Sequence, residues 1–336
     1  MNTTSRREFL QAALAGLAMG GRVLAAEEPG PGGIPKRPLG KTGEKVTIIA
    51  LGGWHIGAVE DRAEAVRIMH EAIDEGLTFF DNCWDYHQGG SEEIMGKALA
   101  DGGRRQKVFL MTKVCGRDYA TAKQHLDDSL RRLRTDVIDL WQFHATQWSD
   151  DADLIFDEEK GSLKAALEAR KAGKIRYIGF TGHKHPDYHL RMLKRPFEWD
   201  TVQMPLNVLD PHYRSFQNRV LPELIRRKIA PLAMKSLGSQ NGRIPRELGW
   251  TAEQCRRYTL SLPIAALVCG IESRENLRQD IAVARSFRPM TGEELVALVA
   301  KTEDQGADGH IEAYKTGNYG CDWYHTQFPT EGKKLY

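Results

Sequence analysis

This chain of 336 residues has no C-x-x-C pair among its five cysteines, no G-x-G-x-x-G turn and almost no net charge. Each absence excludes something. Cys83, Cys115, Cys255, Cys269 and Cys321 lack the spacing of a zinc or iron–sulfur motif, and an odd count leaves at least one thiol unpaired. Cys115 and Cys269 lie in or beside apolar runs and read as core residues, and no disulfide pair is nominated. After the first apolar run the chain reads Leu51-Gly52-Gly53-Trp54, which is not the phosphate turn of a doubly wound dinucleotide-binding sheet. Lys and Arg number 47 against 45 Asp and Glu, and no stretch interleaves basic with aromatic residues, so nucleic acid is not an expected partner.

What is present begins with an address. Ser5-Arg6-Arg7-Glu8-Phe9-Leu10, an uncharged run from Phe9 to Gly21 and the small-residue site Val23-Leu24-Ala25 form the three parts of an export signal. The arginine pair makes residues 1–26 a twin-arginine signal, so the export machinery is an expected partner and the periplasm the expected location. That route carries folded proteins, which suits a chain that loads a cofactor before leaving the cytoplasm. The run is short for a membrane span and contains Gly16, Gly20 and Gly21, so no stable insertion is expected after cleavage. Residues 27–36, rich in Pro and Gly, read as a linker.

From there short apolar runs alternate with helical stretches. Eight strands are predicted, at VTIIALGG, LTFFD, KVFLMTK, VIDLWQFH, IRYIGFT, DTVQMPLN, IAPLAMK and AALVCGI. Continuous apolar strands separated by helices imply a parallel sheet covered on both faces, and eight such units close into a barrel. The expectation is an α/β fold, a (β/α)8 TIM barrel over residues 37–300, as a single domain with a C-terminal tail over 301–336.

A barrel of this kind builds its site where its strands end. The second run ends at Asp81 and continues to Tyr86, the third ends at Lys113 and the fourth at His144. Alone, each has an ordinary reading: a helix cap, a surface ammonium, a packed ring, a satisfied core histidine. Together, four ionisable groups at neighbouring strand ends are costly to bury without a purpose. A phenol is a weak acid, and a nearby ammonium is expected to lower its pKa. Lys113 would do this for Tyr86, Asp81 would orient the lysine, and His144 would hold a substrate oxygen. Such a proton donor suits carbonyl reduction, with the hydride coming from a nicotinamide because no side chain supplies one.

These residues resemble the aldo/keto reductase superfamily. The resemblance runs from about Arg37 to Ala284 and rests on Arg37-Pro38-Leu39-Gly40-Lys41-Thr42-Gly43, on Gly76-Leu77-Thr78-Phe79-Phe80-Asp81 with Tyr86 and Gly90-Ser91-Glu92, and on Asp139-Leu140-Trp141-Gln142-Phe143-His144. It implies a catalytic tetrad of Asp81, Tyr86, Lys113 and His144, with Tyr86 as general acid and base. It also implies cofactor contacts at Gly52, Gly53, Thr181, Gln203, Met234, Lys235, Gly270, Ser273 and Arg274. Gly182 stands where the family usually has asparagine, and Met234 where many members stack a tyrosine on the nicotinamide ring. Asn276 stands where an arginine often grips the 2′-phosphate, with Arg274 the nearest substitute. NADP is the expected cofactor and NAD the competing choice.

Trp54 and Trp84 are expected to line a pocket for a small carbonyl or alcohol substrate, with Trp148 nearby. His183, His185 and His189 have some appearance of a metal site, but Pro186 interrupts any regular helix through them and no metal is expected. The tail around Gly317–His325 either closes over the rim or packs outside the barrel. The competing function is a nicotinamide-binding sensor or regulatory module with little turnover, for which Met234 and Gly182 would mark drift from catalysis. A hydrolase or isomerase is disfavoured, because only Asp81 and Asp85 offer paired carboxylates.

Overall fold

The computed structural model describes residues 31–238, 242–317 and 320–335. The predicted signal and the linker up to residue 30 lie outside the described residues. The chain opens with a hairpin, β1 (Lys36–Pro38) pairing antiparallel with β2 (Lys45–Thr47). Eight parallel strands follow and close on themselves: β3 (Ile49–Gly52), β4 (Phe79–Asp81), β5 (Phe109–Val114), β6 (Ile138–Phe143), β7 (Ile175–Thr181), β8 (Thr201–Pro205), β9 (Ala230–Met234) and β10 (Ala266–Gly270). β10 pairs with both β9 and β3, so this is the eight-stranded barrel that the alternation predicts.

One strand is shorter than its apolar run. Val46–Gly53 reads as a single segment, yet it divides at Ile48, whose N–H donates to Pro35 on the hairpin side while its carbonyl accepts from Leu267 of β10. The residue belongs to two hydrogen-bonding partners in different directions, and the chain turns there from hairpin to barrel.

The strands are buried on both faces because helices cover the outside, as their unbroken apolar runs require. The helix Arg62–Asp74 shows the pattern: Ala65, Ile68, Met69, Ala72 and Ile73 face the sheet at helical spacing, and Asp61 accepts from Ala63 N–H at its start. Asp118 caps the helix Tyr119–Leu133 in the same way, Thr251 forms a capping box with Gln254, and Ser273 caps Arg274–Arg285.

Inside, the lower end is a dry plug. Leu39 and Val46 of the hairpin pack with Ala50, Phe79, Met111, Leu140, Leu232 and Ala266, all buried. This closes the end at which the strands begin.

The tail crosses the opposite end. After the helix Gly292–Lys301, Glu312 and Lys315 meet Asp210 beyond β8, with the Lys315 ammonium 2.8 Å from each carboxylate. Asp322 accepts from Gln147 Nε2 at 2.7 Å and from Trp148 Nε1 at 3.0 Å in the loop after β6. The tail therefore packs on the rim where the strands end. Among the described residues, no helix is long and apolar enough to cross a membrane.

Candidate active site

A strand points every second side chain the same way. On β4 the inward positions run Phe79 then Asp81, on β5 Met111 then Lys113, and on β6 Leu140, then Gln142, with His144 just beyond. The alternate residue Thr112 points outward, where its hydroxyl donates to buried Glu92 at 2.6 Å. Register then does the assembly. Asp81 lies beside Met111, so Lys113 stands two residues further along the neighbouring strand on the same face, and its long side chain reaches back to the acid.

Both are buried, and the Lys113 Nζ forms a salt bridge with the Asp81 carboxylate. It also donates to Asn82 O at 2.7 Å and lies 3.4 Å from Tyr86 Oη. Tyr86 starts a tight turn in which His87 and Gln88 hold left-handed backbone, with φ of 51° and 57°. That turn aims the phenol back into the barrel mouth. Its ring meets His144 edge-on at 5.7 Å and Trp54 edge-on at 5.4 Å. The four groups thus share one small volume.

The electrostatics differ from the expectation in one respect. Burial raises the Tyr86 phenol well above its ordinary pKa, and the Asp81 carboxylate adds to the rise. The predicted lowering by Lys113 is not what results: the cost of a buried phenolate exceeds the help of an ammonium that is already paired with Asp81. Tyr86 is therefore a neutral phenol at neutral pH, with its proton in place. Burial raises the Asp81 carboxyl, opposed by Lys113. Burial also drives His144 well below the ordinary imidazole value, and Lys113 adds to this, so the ring is neutral.

Two thiols lie at that ring's other edge, and a third lies behind one of them. Cys83 Sγ lies 3.2 Å and Cys115 Sγ 3.5 Å from His144 Nδ1, and Cys321 Sγ of the tail lies 2.9 Å from Cys115 Sγ. Cys115 is buried as expected, in a small cluster with Cys83, Ala145 and Cys321. Nothing in the sequence announces this, because the three are contributed by the loops after β4 and β5 and by the tail.

The residues expected to hold a cofactor occupy the other half of the rim. Gln203 is buried on β8 with its Oε1 lacking a partner among the described residues, an orphaned acceptor. Thr181, also buried, pairs with it across β7 and β8. Met234 ends β9 half-buried, and Lys235 follows with φ 63°. Burial and the charge of Lys113 hold the Lys235 ammonium below its ordinary pKa. Gly53 is packed so closely that a Cβ there would lie 2.5 Å from Asp81 O, and a Cβ on Gly270 would enter the His55 ring. Gly52 is packed as tightly, against Cys269 O. Ser273 Oγ accepts from Asn276 N–H at 3.1 Å. Arg274 reaches Glu64 at 3.0 Å and Glu71 at 3.5 Å, so its guanidinium already faces two carboxylates.

Of the two tryptophans expected to line a pocket, Trp54 is 51% exposed at the mouth. Trp84 is built into a loop cluster, stacked on His125 at 3.5 Å, against Arg132 at 5.3 Å and edge-on to Trp323 of the tail. Trp148 stacks on His325 of the tail. The three histidines of the fifth loop diverge: His185 caps a helix, His189 Nε2 reaches Gln203 O at 3.2 Å, and His183 meets Tyr314 at 5.8 Å.

Sequence reasoning missed Arg117. Buried after β5, it pairs with Asp151 at 2.6 Å and donates to Cys115 O at 3.1 Å and His144 O at 2.6 Å, tying the β5 and β6 loops together. A lone arginine directly after a strand end, in Cys115-Gly116-Arg117, is the only local signal.

With this geometry in hand, the likeness to known proteins is specific. The aldo/keto reductase family pattern matches residues 48–244, more than half of the chain. The chain belongs to the aldo/keto reductase family. It is 30% identical over 236 residues to the aldo-keto reductase YhdN of Bacillus subtilis, covering 66% of this chain and 68% of that protein. An aldo-keto reductase of Bacillus halodurans in its holo form superposes with TM-score 0.66 at 25% identity, covering 83% of this chain and 99% of that one. An aldo/keto reductase of Klebsiella pneumoniae, in complex with NADP and acetate, has the same fold with TM-score 0.61 at 23% identity, covering 77% and 92%.

Proposed function

We propose that this aldo/keto reductase interconverts a carbonyl and an alcohol with a nicotinamide cofactor, using Tyr86 as the general acid in reduction and general base in oxidation. One observation carries the reading: a neutral, half-buried phenol lies 3.4 Å from an ammonium that a buried carboxylate holds in place. When bound, the nicotinamide supplies or accepts the hydride. Everything else falls to the protein. As the substrate oxygen becomes negative, Tyr86 Oη gives up its proton, and the Lys113 charge beside it stabilises the phenolate left behind. Asp81 fixes the position of Lys113. His144, neutral with Nδ1 turned to the thiols, has its other ring nitrogen for donating to the substrate oxygen. Trp54 at the mouth offers an apolar surface to a small substrate.

The cofactor residues fit this reading. Gln203 Oε1 is the acceptor that a carboxamide N–H requires, and Thr181 stands beside it. Met234 presents a thioether to a flat ring. Lys235, Gly270, Ser273 and Arg274 bring positive charge and a helix N-terminus to one edge, the chemistry that a pyrophosphate seeks. NADP is the proposed cofactor. Its 2′-phosphate would have to draw Arg274 from Glu64 and Glu71, whereas NAD asks nothing of that arginine. The Arg6-Arg7 signal supports export of the loaded protein to the periplasm.

The test is direct. Purified protein should oxidise NADPH or NADH in the presence of a test aldehyde, and Tyr86→Phe should lower turnover by about 10²- to 10⁴-fold while leaving cofactor affinity unchanged. Full activity in Tyr86→Phe would refute the assigned role. Arg274→Ala should weaken NADP more than NAD. Cell fractionation with N-terminal sequencing of the mature chain tests the export reading.

A further inference from the structure

Five cysteines divide into two kinds. Cys255 and Cys269 are buried singly, the usual state of a small apolar side chain. Cys83, Cys115 and Cys321 are buried together, the first two on an imidazole nitrogen and the third against Cys115. Cys83, Cys115 and His144 form one set whose ligand atoms all lie within 4.8 Å, and Asp85, Cys115 and Cys321 form a second. Cys115 belongs to both.

We propose that this cluster is a binding site for a thiolate-seeking divalent cation of the zinc type, with Cys83, Cys115 and His144 Nδ1 as ligands and Cys321 or Asp85 completing the shell. The distances suit such an ion. Zinc–sulfur bonds of about 2.3 Å and zinc–nitrogen bonds of about 2.0 Å in a tetrahedron separate S from N by about 3.5 Å. The observed separations from Nδ1 are 3.2 and 3.5 Å. Two sulfurs on such an ion stand about 3.7 Å apart, and Cys321, which shares a set with Cys115 and Asp85 but not with Cys83 and His144, swings about Cys115 to become the fourth ligand. The ligand types are those that zinc selects over magnesium or calcium.

The surroundings are built to present these donors. Arg117 donates to the carbonyls of Cys115 and His144, which sets the two backbones relative to each other. Gln147 donates to Cys321 O at 3.4 Å and to the neighbouring Asp322 at 2.7 Å, so the tail delivers its thiol from a fixed loop. Binding is a proton exchange. Each thiol that ligates loses its proton to water, the cation takes the thiolate lone pair, and neutral His144 loses nothing. Lys113 and Arg117 offset the negative charge that three thiolates would carry. Ligation through Nδ1 leaves the proton on Nε2, the tautomer that donates toward a substrate oxygen. The cation is thus a positioning element, and the site stands whether or not the hydride-transfer reading holds.

The experiment uses the full chain, purified, reduced with a phosphine and stripped with a chelator. Titration with Co2+ should saturate at one equivalent with thiolate-to-cobalt charge-transfer bands and the strong visible bands of a tetrahedral site, and Zn2+ should abolish them. Cys115→Ser should lose the charge-transfer bands, Cys83→Ser should diminish them, and Cys255→Ser and Cys269→Ser should leave them unchanged. A second measurement needs no variant: Zn2+ should protect Cys83 and Cys115 from a thiol reagent in the native protein without protecting Cys255 or Cys269. Absence of the bands in the reduced wild-type chain would overturn the proposal. So would bands that survive in folded Cys115→Ser, or a Cys115–Cys321 disulfide whose reduction does not restore cobalt binding.

Discussion

The two ends of the barrel are made by the same strands in opposite ways. At the lower end the inward positions are Ala50, Phe79, Met111, Leu140, Leu232 and Ala266, buried and apolar. Two residues further along, the same strand faces carry Gly52, Asp81, Lys113, Gln142, Met234 and Val268. The difference is a division of labour. The lower end is closed by the hairpin and can bury hydrocarbon without any polar group to satisfy. The upper end opens onto loops, so ionisable groups there can find partners or a ligand. A barrel tolerates a costly site at one end because the other end supplies packing.

Predictions that separate the ends follow in order of size. Lys113→Met should cost most, because it leaves the Asp81 carboxylate buried without its partner: about 3–5 kcal/mol of stability by denaturant unfolding. The folded fraction should also lose about 10²- to 10⁴-fold in kcat/KM, since the phenol loses its neighbouring charge. Phe79→Ala, in the plug, should cost a similar 3–5 kcal/mol. Its kcat/KM per folded molecule should stay at the wild-type value. Loss of catalysis in folded Phe79→Ala would show that the ends are coupled and not separate.

The next difference concerns pH. His125 and His183 are pushed down to about 3 and His189 to about 4, in each case by burial first, and His144 lies well below its ordinary value. These histidines cluster at the upper end. Above pH 6.5 each is neutral whether folded or unfolded and contributes nothing to the slope. Below it the unfolded chain takes up the protons and the folded chain does not, so stability falls as pH drops toward the folded values. The buried carboxyls Asp81 and Glu92, raised by burial, act in the opposite sense. The contribution of one histidine is therefore read by difference. His125→Phe, keeping a ring against Trp84, should flatten the slope of stability between pH 6 and 4 by about 1.4 kcal/mol per pH unit. An unchanged slope would show that His125 takes up its proton in the folded state.

The smallest effect should come from Ser273→Ala. It removes the cap of Arg274–Arg285 and should cost about 1 kcal/mol in thermal unfolding, with a modest loss of cofactor affinity.

Much of this was legible in the residues. The continuous apolar runs and the helical stretches between them predict eight strands in their observed order, and the polar strand ends point to Asp81, Tyr86, Lys113 and His144, which the fold brings together. Val46–Gly53 misled, because a run that is apolar throughout carries no mark where the hairpin hands over to the barrel at Ile48. The place of Trp84 after a strand gives no sign of its packing on His125 and Trp323, which are distant in sequence. The Tyr86 pKa was misjudged because spacing shows which charges are near but not how much water is lost.

By itself the sequence determined the barrel, its order and the four groups at neighbouring strand ends, because an apolar run, the helix that follows it and the residue that ends it are all local properties of the chain. Only the tertiary structure decided three further things: that the phenol keeps its proton, that the tail crosses the rim where the strands end, and that Cys83 and Cys115 meet on one imidazole with Cys321 against Cys115. Each depends on burial or on contacts across up to 206 residues of chain. Neither is encoded in any local pattern.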